Sequence, residues 1–280
     1  MKFAAAFLSA ALLAGPAHAI VGERDVARLM SFGGSCPNCQ FSGKRLQDAV
    51  FAGANFSSAA LVGADLRGAE IMGSNFARAD FTRADLRGAE VIGSNFSRAL
   101  FVNARLDGVE AQGANFAAAD LSGARLTSAQ MVGANFSGAA LLRAQLNGAE
   151  LAGSNLGGVR AAAANFEGAE LDGSNLGGGS FEGANFRGAS FAGARLAGAR
   201  FRGADLKGAD LDGADLRGAD LSGAKNLKAS QLEDACGDAS TRLPPGLSAG
   251  ACRQVRTIRI GPMSFPRPPA PPAPPPPPNR

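Results

Sequence analysis

Four cysteines and one column of carboxylates are the groups whose type and spacing could do chemistry in this chain. Cys36 and Cys39 stand as Cys-Pro-Asn-Cys. That spacing lets two thiols exchange with a disulfide, or share a metal ion with a second pair. Cys236 and Cys252 are the remaining two cysteines. Haem attachment needs His directly after the second Cys, and Gln40 is there instead. Glu70, Glu90, Glu110, Glu150 and Glu170 recur at multiples of twenty residues, with Gln130 filling the gap. Carboxylates in such an array could serve as acid and base or hold divalent cations. Histidine limits the choice, because His18 is the sole imidazole and sits near the amino terminus.

Residues 1–19 read as an export signal: Lys2, an apolar run from Phe3 to Ala14, then Ala17-His18-Ala19, the small-x-small pattern of a cleavage site. Cleavage after Ala19 removes His18 with the leader. The mature chain then has no imidazole, which excludes Ser-His-Asp hydrolysis, Cys-His proteolysis and His-ligated zinc. No other stretch approaches the roughly 20 apolar residues that cross a bilayer, so no transmembrane segment is expected in the mature chain. The expected location is periplasmic or secreted.

The formal charge of +4 conceals a division. Arg242, Arg253, Arg256, Arg259, Arg267 and Arg280 all follow the last acid, Asp238, while the body before them is mildly acidic. Nucleic-acid binding needs clustered basic groups with base-reading side chains, so no nucleic-acid partner is expected.

These groups are carried by a strict repeat. From Leu46 to Leu221 every fifth residue is large and apolar except Ala111 and Ala161, giving 36 units without insertion or deletion. The position two residues earlier is Ala in 28 of 35 cases between Ala49 and Ala219, with Ser74, Ser94, Ser154 and Ser174 among the substitutes. A period of five fits neither strand nor helix, so each unit must turn a corner to bring both positions inward. Gly, common two residues after the large position, suits that corner. Asn recurs every twenty residues from Asn55 to Asn175, so four units make one coil. Nine coils at sheet spacing would form a rod of about 43 Å. Val109 precedes Ala111 and Val159 precedes Ala161, so volume lost at one inward site returns at its neighbour. A close-packed interior requires such compensation; a disordered chain does not.

Units such as Ala64-Asp65-Leu66-Arg67-Gly68 and Ala204-Asp205-Leu206-Lys207-Gly208 resemble the A(D/N)LXX signature of pentapeptide-repeat proteins. The resemblance implies an all-β right-handed quadrilateral β-helix. The ends, with CPNC before the first coil and KNLKASQLEDACGD then LPPGL after the last, are similar to those of envelope members of the family. The division expected is a cap over 20–40, the solenoid over 41–225, a second cap over 226–261 and a disordered Pro-rich tail over 262–280. Short helices near Glu23 to Met30 and Ser230 to Ala235 would cover the ends.

In such a rod the two cysteine pairs lie about 40 Å apart, too far for one metal site. In an oxidising envelope Cys36 is expected to pair with Cys39 and Cys236 with Cys252, each fastening a cap. The Asn column reads as architectural, since stacked amides hydrogen-bond to one another. The Glu column is a solvated face, or a docking strip for a basic partner or divalent cations. Arg78, Arg83, Arg98 and Arg143 occupy corners usually given to Gly and could form a loose basic patch. The segment from Pro266 is a polyproline spacer or a ligand for another protein.

The expectation is a non-catalytic envelope scaffold, a protein-interaction rod without cofactor or metal, binding an unknown protein or envelope component. Two alternatives stand beside it: a thiol-disulfide or metal-linked role for Cys36 and Cys39, and the DNA mimicry by which some pentapeptide-repeat proteins modulate topoisomerases. The latter activity is cytoplasmic and conflicts with an export signal. Homodimers occur in the family, so a dimer is possible here.

Overall fold

The computed structural model describes residues 34–252. The leader, the helix expected near Glu23 to Met30 and the Pro-rich tail lie outside them.

Each five-residue unit behaves alike. The large residue turns inward and its N–H donates to a carbonyl of the next coil, as Phe56 does to Asn75 at 2.7 Å. Two residues on, the backbone takes a left-handed φ, usually at Gly, such as Gly63 at 62°. Gly reaches that region without the Cβ clash that other residues meet. The N–H of the residue directly after the corner then returns to the large residue's carbonyl, as Ala59 does to Phe56 at 3.1 Å. Parallel bridges join each unit to the one twenty residues later, forming four ladders that begin at Ser35, Gln40, Arg45 and Val50. In chain order these are an asparagine face, an apolar face, an ion-pair face and an acid face. No side of the described rod carries an element longer than a few residues, and none of its helices could cross a membrane.

Both inward columns are buried, the large one filled by Phe and Leu and the small one by Ala. Phe rings stack along the axis in two blocks, one from Phe41 to Phe136 and one from Phe166 to Phe201. Val109 with Ala111, and Val159 with Ala161, are all inside as the sequence demanded. One coil above Val159 and Ala161 the exchange is reversed: a Cβ on Gly179 would stand 2.6 Å from the Phe181 ring. Gly179 therefore vacates the space that the larger ring takes.

Two of the four small-column serines, Ser74 and Ser94, have a further use. At Phe51 to Ala54 and at Ile71 to Ser74 the corner is opened, and a hydroxyl from the next coil enters it. Ser74 Oγ accepts from Ala54 N at 3.0 Å and donates to the Phe51 carbonyl at 2.5 Å. Ser94 Oγ does the same between Ser74 N and the Ile71 carbonyl. A buried hydroxyl is thus satisfied while it repairs a missing turn bond.

The carboxyl end is closed by a 3-10 helix, Ala229–Leu232, in place of the longer helix expected over Ser230 to Ala235. Its Gln231 side chain donates to the carbonyls of Leu206 and Ala209, at 2.9 and 2.6 Å. Leu232 and Ala235 cover the last core residues. Two strands of two residues, Cys236–Gly237 and Gly250–Ala251, stack in parallel above the asparagine face.

Asp238 organises the turn that follows. Its carboxylate accepts from the Ser240 hydroxyl and from the backbone N–H groups of Gly218 and Ser240. The Ser240 hydroxyl bond is the foremost cause that holds its pKa down to about 2. A depressed carboxyl stabilises fully above its unfolded value near 4 and loses that contribution as pH falls through the folded value. The turn should therefore hold at pH 4 and loosen toward pH 2. Amide shifts of Gly218 and Ser240 should titrate with a midpoint near 2, and a midpoint near 4 would contradict the assignment.

Candidate interaction surface

The asparagine face is bound up in itself. From Asn75 to Asn175 each Nδ2 donates to the Oδ1 of the Asn one coil earlier, at 3.0 to 3.3 Å. Each of these oxygens from Asn75 on also accepts the N–H two residues along, as Asn115 does from Ala117. The amides are spent on architecture. Asn115→Leu deletes two amide bonds and one backbone acceptor, so it should lower stability by about 1–3 kcal/mol in urea denaturation. A neutral result would free the column for another role.

Most charges of the ion-pair face are paired within it, although Asp107 Oδ2 is buried without a hydrogen-bond partner among the described residues. Arg67 with Asp65 and Arg87 with Asp85 both lie at 2.7 Å, and Arg105–Asp85, Arg125–Asp107 and Arg187–Asp205 continue the pattern. The side-chain hydrogen bond from Arg67 lowers the pKa of Asp65, and that from Arg87 lowers the pKa of Asp85. A sixth pair, Arg217–Asp215, lies at the carboxyl end of the asparagine face.

The acid face differs. The ladder brings Glu70 beside Glu90, Glu90 beside Glu110, and Glu150 beside Glu170, with Gln130 between Glu110 and Glu150. None of these glutamates takes part in an ion pair among the described residues. Neighbouring carboxylates at sheet spacing repel by about 1 kcal/mol in water before screening. Two residues from Glu70, Glu90 and Gln130, on the same outward side, stand Met72, Ile92 and Val132, exposed at 42%, 37% and 44%. A column of unpaired charge thus runs beside a column of exposed apolar side chains. The same twenty-residue count that locates the glutamates also locates these apolar companions, which are not apparent from charge alone.

The apolar face carries Val62, Leu100, Val102 and Leu142, with Leu100 and Leu142 the most exposed. Its Asp80 and Asp120 turn back to accept the N–H groups of Thr82 and Ser122 at 2.9 Å. All four corner arginines singled out above edge this face: Arg78 and Arg98 on one corner, Arg83 and Arg143 on the other. Their φ values, 55° to 61°, lie in the left-handed region, at a cost of about 1–2 kcal/mol each relative to Gly.

The cysteines close the ends. The structure brings Cys36 beside Cys39, with Cα atoms 5.6 Å apart, and Cys236 beside Cys252 at 4.6 Å. Counting back in fives from Phe41 places Cys36 at a large inward position and Cys39 at a small one. Both pack against the first core residues, and Cys36 N donates to Asn55 as core residues do. The Asp215 carboxylate approaches Cys236 and Cys252, yet it is engaged by Arg217, whose hydrogen bond holds its pKa low.

Comparisons with known proteins agree with this architecture. Family models for pentapeptide repeats match residues 38–71, 139–178, 164–203, 184–223 and 199–236, and one for a pentapeptide repeat region matches 79–156. No curated protein matches the chain as a relative. Among solved structures, HetL, a pentapeptide repeat protein involved in heterocyst differentiation regulation from the cyanobacterium Nostoc sp. strain PCC 7120, is 30% identical. The match covers 72% of this chain and 92% of HetL, with a TM-score of 0.54. Rfr23, a pentapeptide repeat protein from the cyanobacterium Cyanothece 51142, is 33% identical over 36% of this chain and 61% of its own, with a TM-score of 0.24. QnrB1, a plasmid-mediated fluoroquinolone resistance protein, is 22% identical over 73% of this chain and 94% of its own, with a TM-score of 0.41. The family models span well over half of the sequence, and the chain belongs to the pentapeptide-repeat family.

Proposed function

We propose that this protein is an exported, non-catalytic interaction rod that binds a macromolecule through its acid face. The observation that carries the reading is the distribution of charge. Asp65, Asp85, Asp107 and Asp205 of the ion-pair face are each matched by an arginine of the same face, whereas Glu70, Glu90, Glu110, Glu150 and Glu170 are left unmatched beside Met72, Ile92 and Val132. A surface that keeps both like charge and exposed apolar groups gains by covering them with a basic, partly apolar partner.

The rod in this reading is a right-handed quadrilateral β-helix, with about nine full coils over 41–225 and capping turns at both ends. The leader over 1–19 supports export to the periplasm or beyond, and export suits disulfides at Cys36–Cys39 and Cys236–Cys252. Cys36 and Cys39 fill core positions, which favours their structural use over thiol exchange.

The experiment is crosslinking capture from an envelope extract. It compares the parent with Glu90→Gln/Glu110→Gln/Glu150→Gln and with a chain ending at Gly261. A partner retained by the parent and lost with the glutamates supports the acid face; one lost only with the tail moves the function to the Pro-rich segment.

A further inference from the structure

We infer that the partner of the acid face is a second copy of this chain, docked by its apolar, arginine-edged face. This deepens the reading above and rests on it.

The two faces are complementary in charge and alike in apolar content. One presents unpaired glutamates beside Met72 and Ile92; the other presents Leu100 and Leu142 between arginine-bearing corners. Arg78, Arg83, Arg98 and Arg143 join no ion pair among the described residues, just as the glutamates join none. The arginines are also placed against backbone preference. Of twelve non-glycine residues with left-handed φ, nine lie on the two corners that bound the apolar face. On the corner between the acid and asparagine faces, from Gly53 to Gly213, every such position is Gly. Side chains have been put at strained corners where they frame one face.

Geometry matches as well. The two faces are built on separate ladders that share the same twenty-residue step, so charge and apolar groups recur at one axial spacing on each, and a neighbour can be docked in register along the rod. The faces are two corners apart in either direction around the coil. A docked pair therefore leaves one acid and one apolar face free, and the contact is heterologous: it continues side by side instead of closing as a dimer. Six coils at about 4.8 Å, by about 15 Å across, give on the order of 400 Å² per copy. Stable interfaces bury about 800 Å² per partner, so a single contact is weak and shows itself at high concentration and low ionic strength.

The test uses the full chain in analytical ultracentrifugation, with two outward-facing variants whose melting curves confirm the fold. The acid-face variant is Glu90→Gln/Ile92→Gln; the apolar-face variant is Arg98→Gln/Leu100→Gln, so the substitutions introduce no charge by which the two altered faces could attract each other. The parent should form a concentration-dependent series of oligomers at about 0.01 M salt and return to monomer at about 1 M, where screening shortens from about 30 Å to about 3 Å. Each variant alone should lose the series. Their mixture should give a heterodimer that grows no further, because each copy keeps one working face. A parent that stays monomeric at low salt, or a mixture that stays monomeric, overturns the proposal. An acid-face variant that dissociates while the apolar-face variant still associates assigns the acid face to another occupant, such as a neighbour's arginine-bearing segment after Cys252, and overturns it too. A monomeric parent whose acid face still captures a different macromolecule sinks this inference and leaves the interaction rod standing.

Discussion

Phe96→Ala should remove about 3–5 kcal/mol of stability, a large part of the roughly 5–15 kcal/mol that a domain possesses. Phe96 is fully buried, with ring centroids of Phe76, Phe81, Phe101 and Phe116 between 5.2 and 5.7 Å away. Truncation there opens a cavity that stacked coils cannot collapse, since each coil is tied to the next by the ladder bonds around it. The loss should also be local. A solenoid is stabilised by nearest-neighbour contacts, and no Phe lies between Phe136 and Phe166 to connect the two aromatic blocks. Hydrogen exchange should accelerate in the coils around Asn75 to Asn115 and remain slow from Phe166 to Phe201. A loss below about 1 kcal/mol, or uniform acceleration, would contradict the stacked-core account.

The second large effect concerns paired volumes. Ala161→Phe alone should cost about 1–3 kcal/mol, because Val159 already fills the adjoining inward site. Adding Val159→Gly reproduces the arrangement one coil later, where Gly179 yields to Phe181. The double variant should therefore recover part of the loss, with a favourable coupling of about 0.5–3 kcal/mol in a double-mutant cycle. Strictly additive effects would mean that the two positions do not share space.

Much of this arrangement was legible in sequence because it is periodic. The five-residue count located both inward columns, and the Asn repeat at twenty residues located the ladder that the amides build. The ends were less legible. Lys225 to Cys236 breaks the count by one residue, so that Cys236 bridges Asp215 instead of following the twenty-residue step, and the end helix shortens to Ala229–Leu232. Other features depend on atoms that periodicity does not report. Ser74 and Ser94 stand out as substitutes for Ala, yet their entry into an opened corner is visible only in coordinates. Arg78 and Arg98 were recognisable as intruders at glycine corners; that all four such arginines edge one face follows from the ladder. Cys36 and Cys39 could have been placed by counting back from Phe41, and were instead grouped with the cap.

The interaction account turns on which side of the rod meets another macromolecule. A photo-crosslinking side chain placed in turn at Ile92, Leu142 and Thr127 samples the acid, apolar and ion-pair faces in intact cells. Adducts are expected from positions 92 and 142 and not from 127, whose neighbours on the ion-pair face include the Arg125–Asp107 pair. Adducts from 127 equal to those from 92, or none from 92, would contradict an acid face built to be covered.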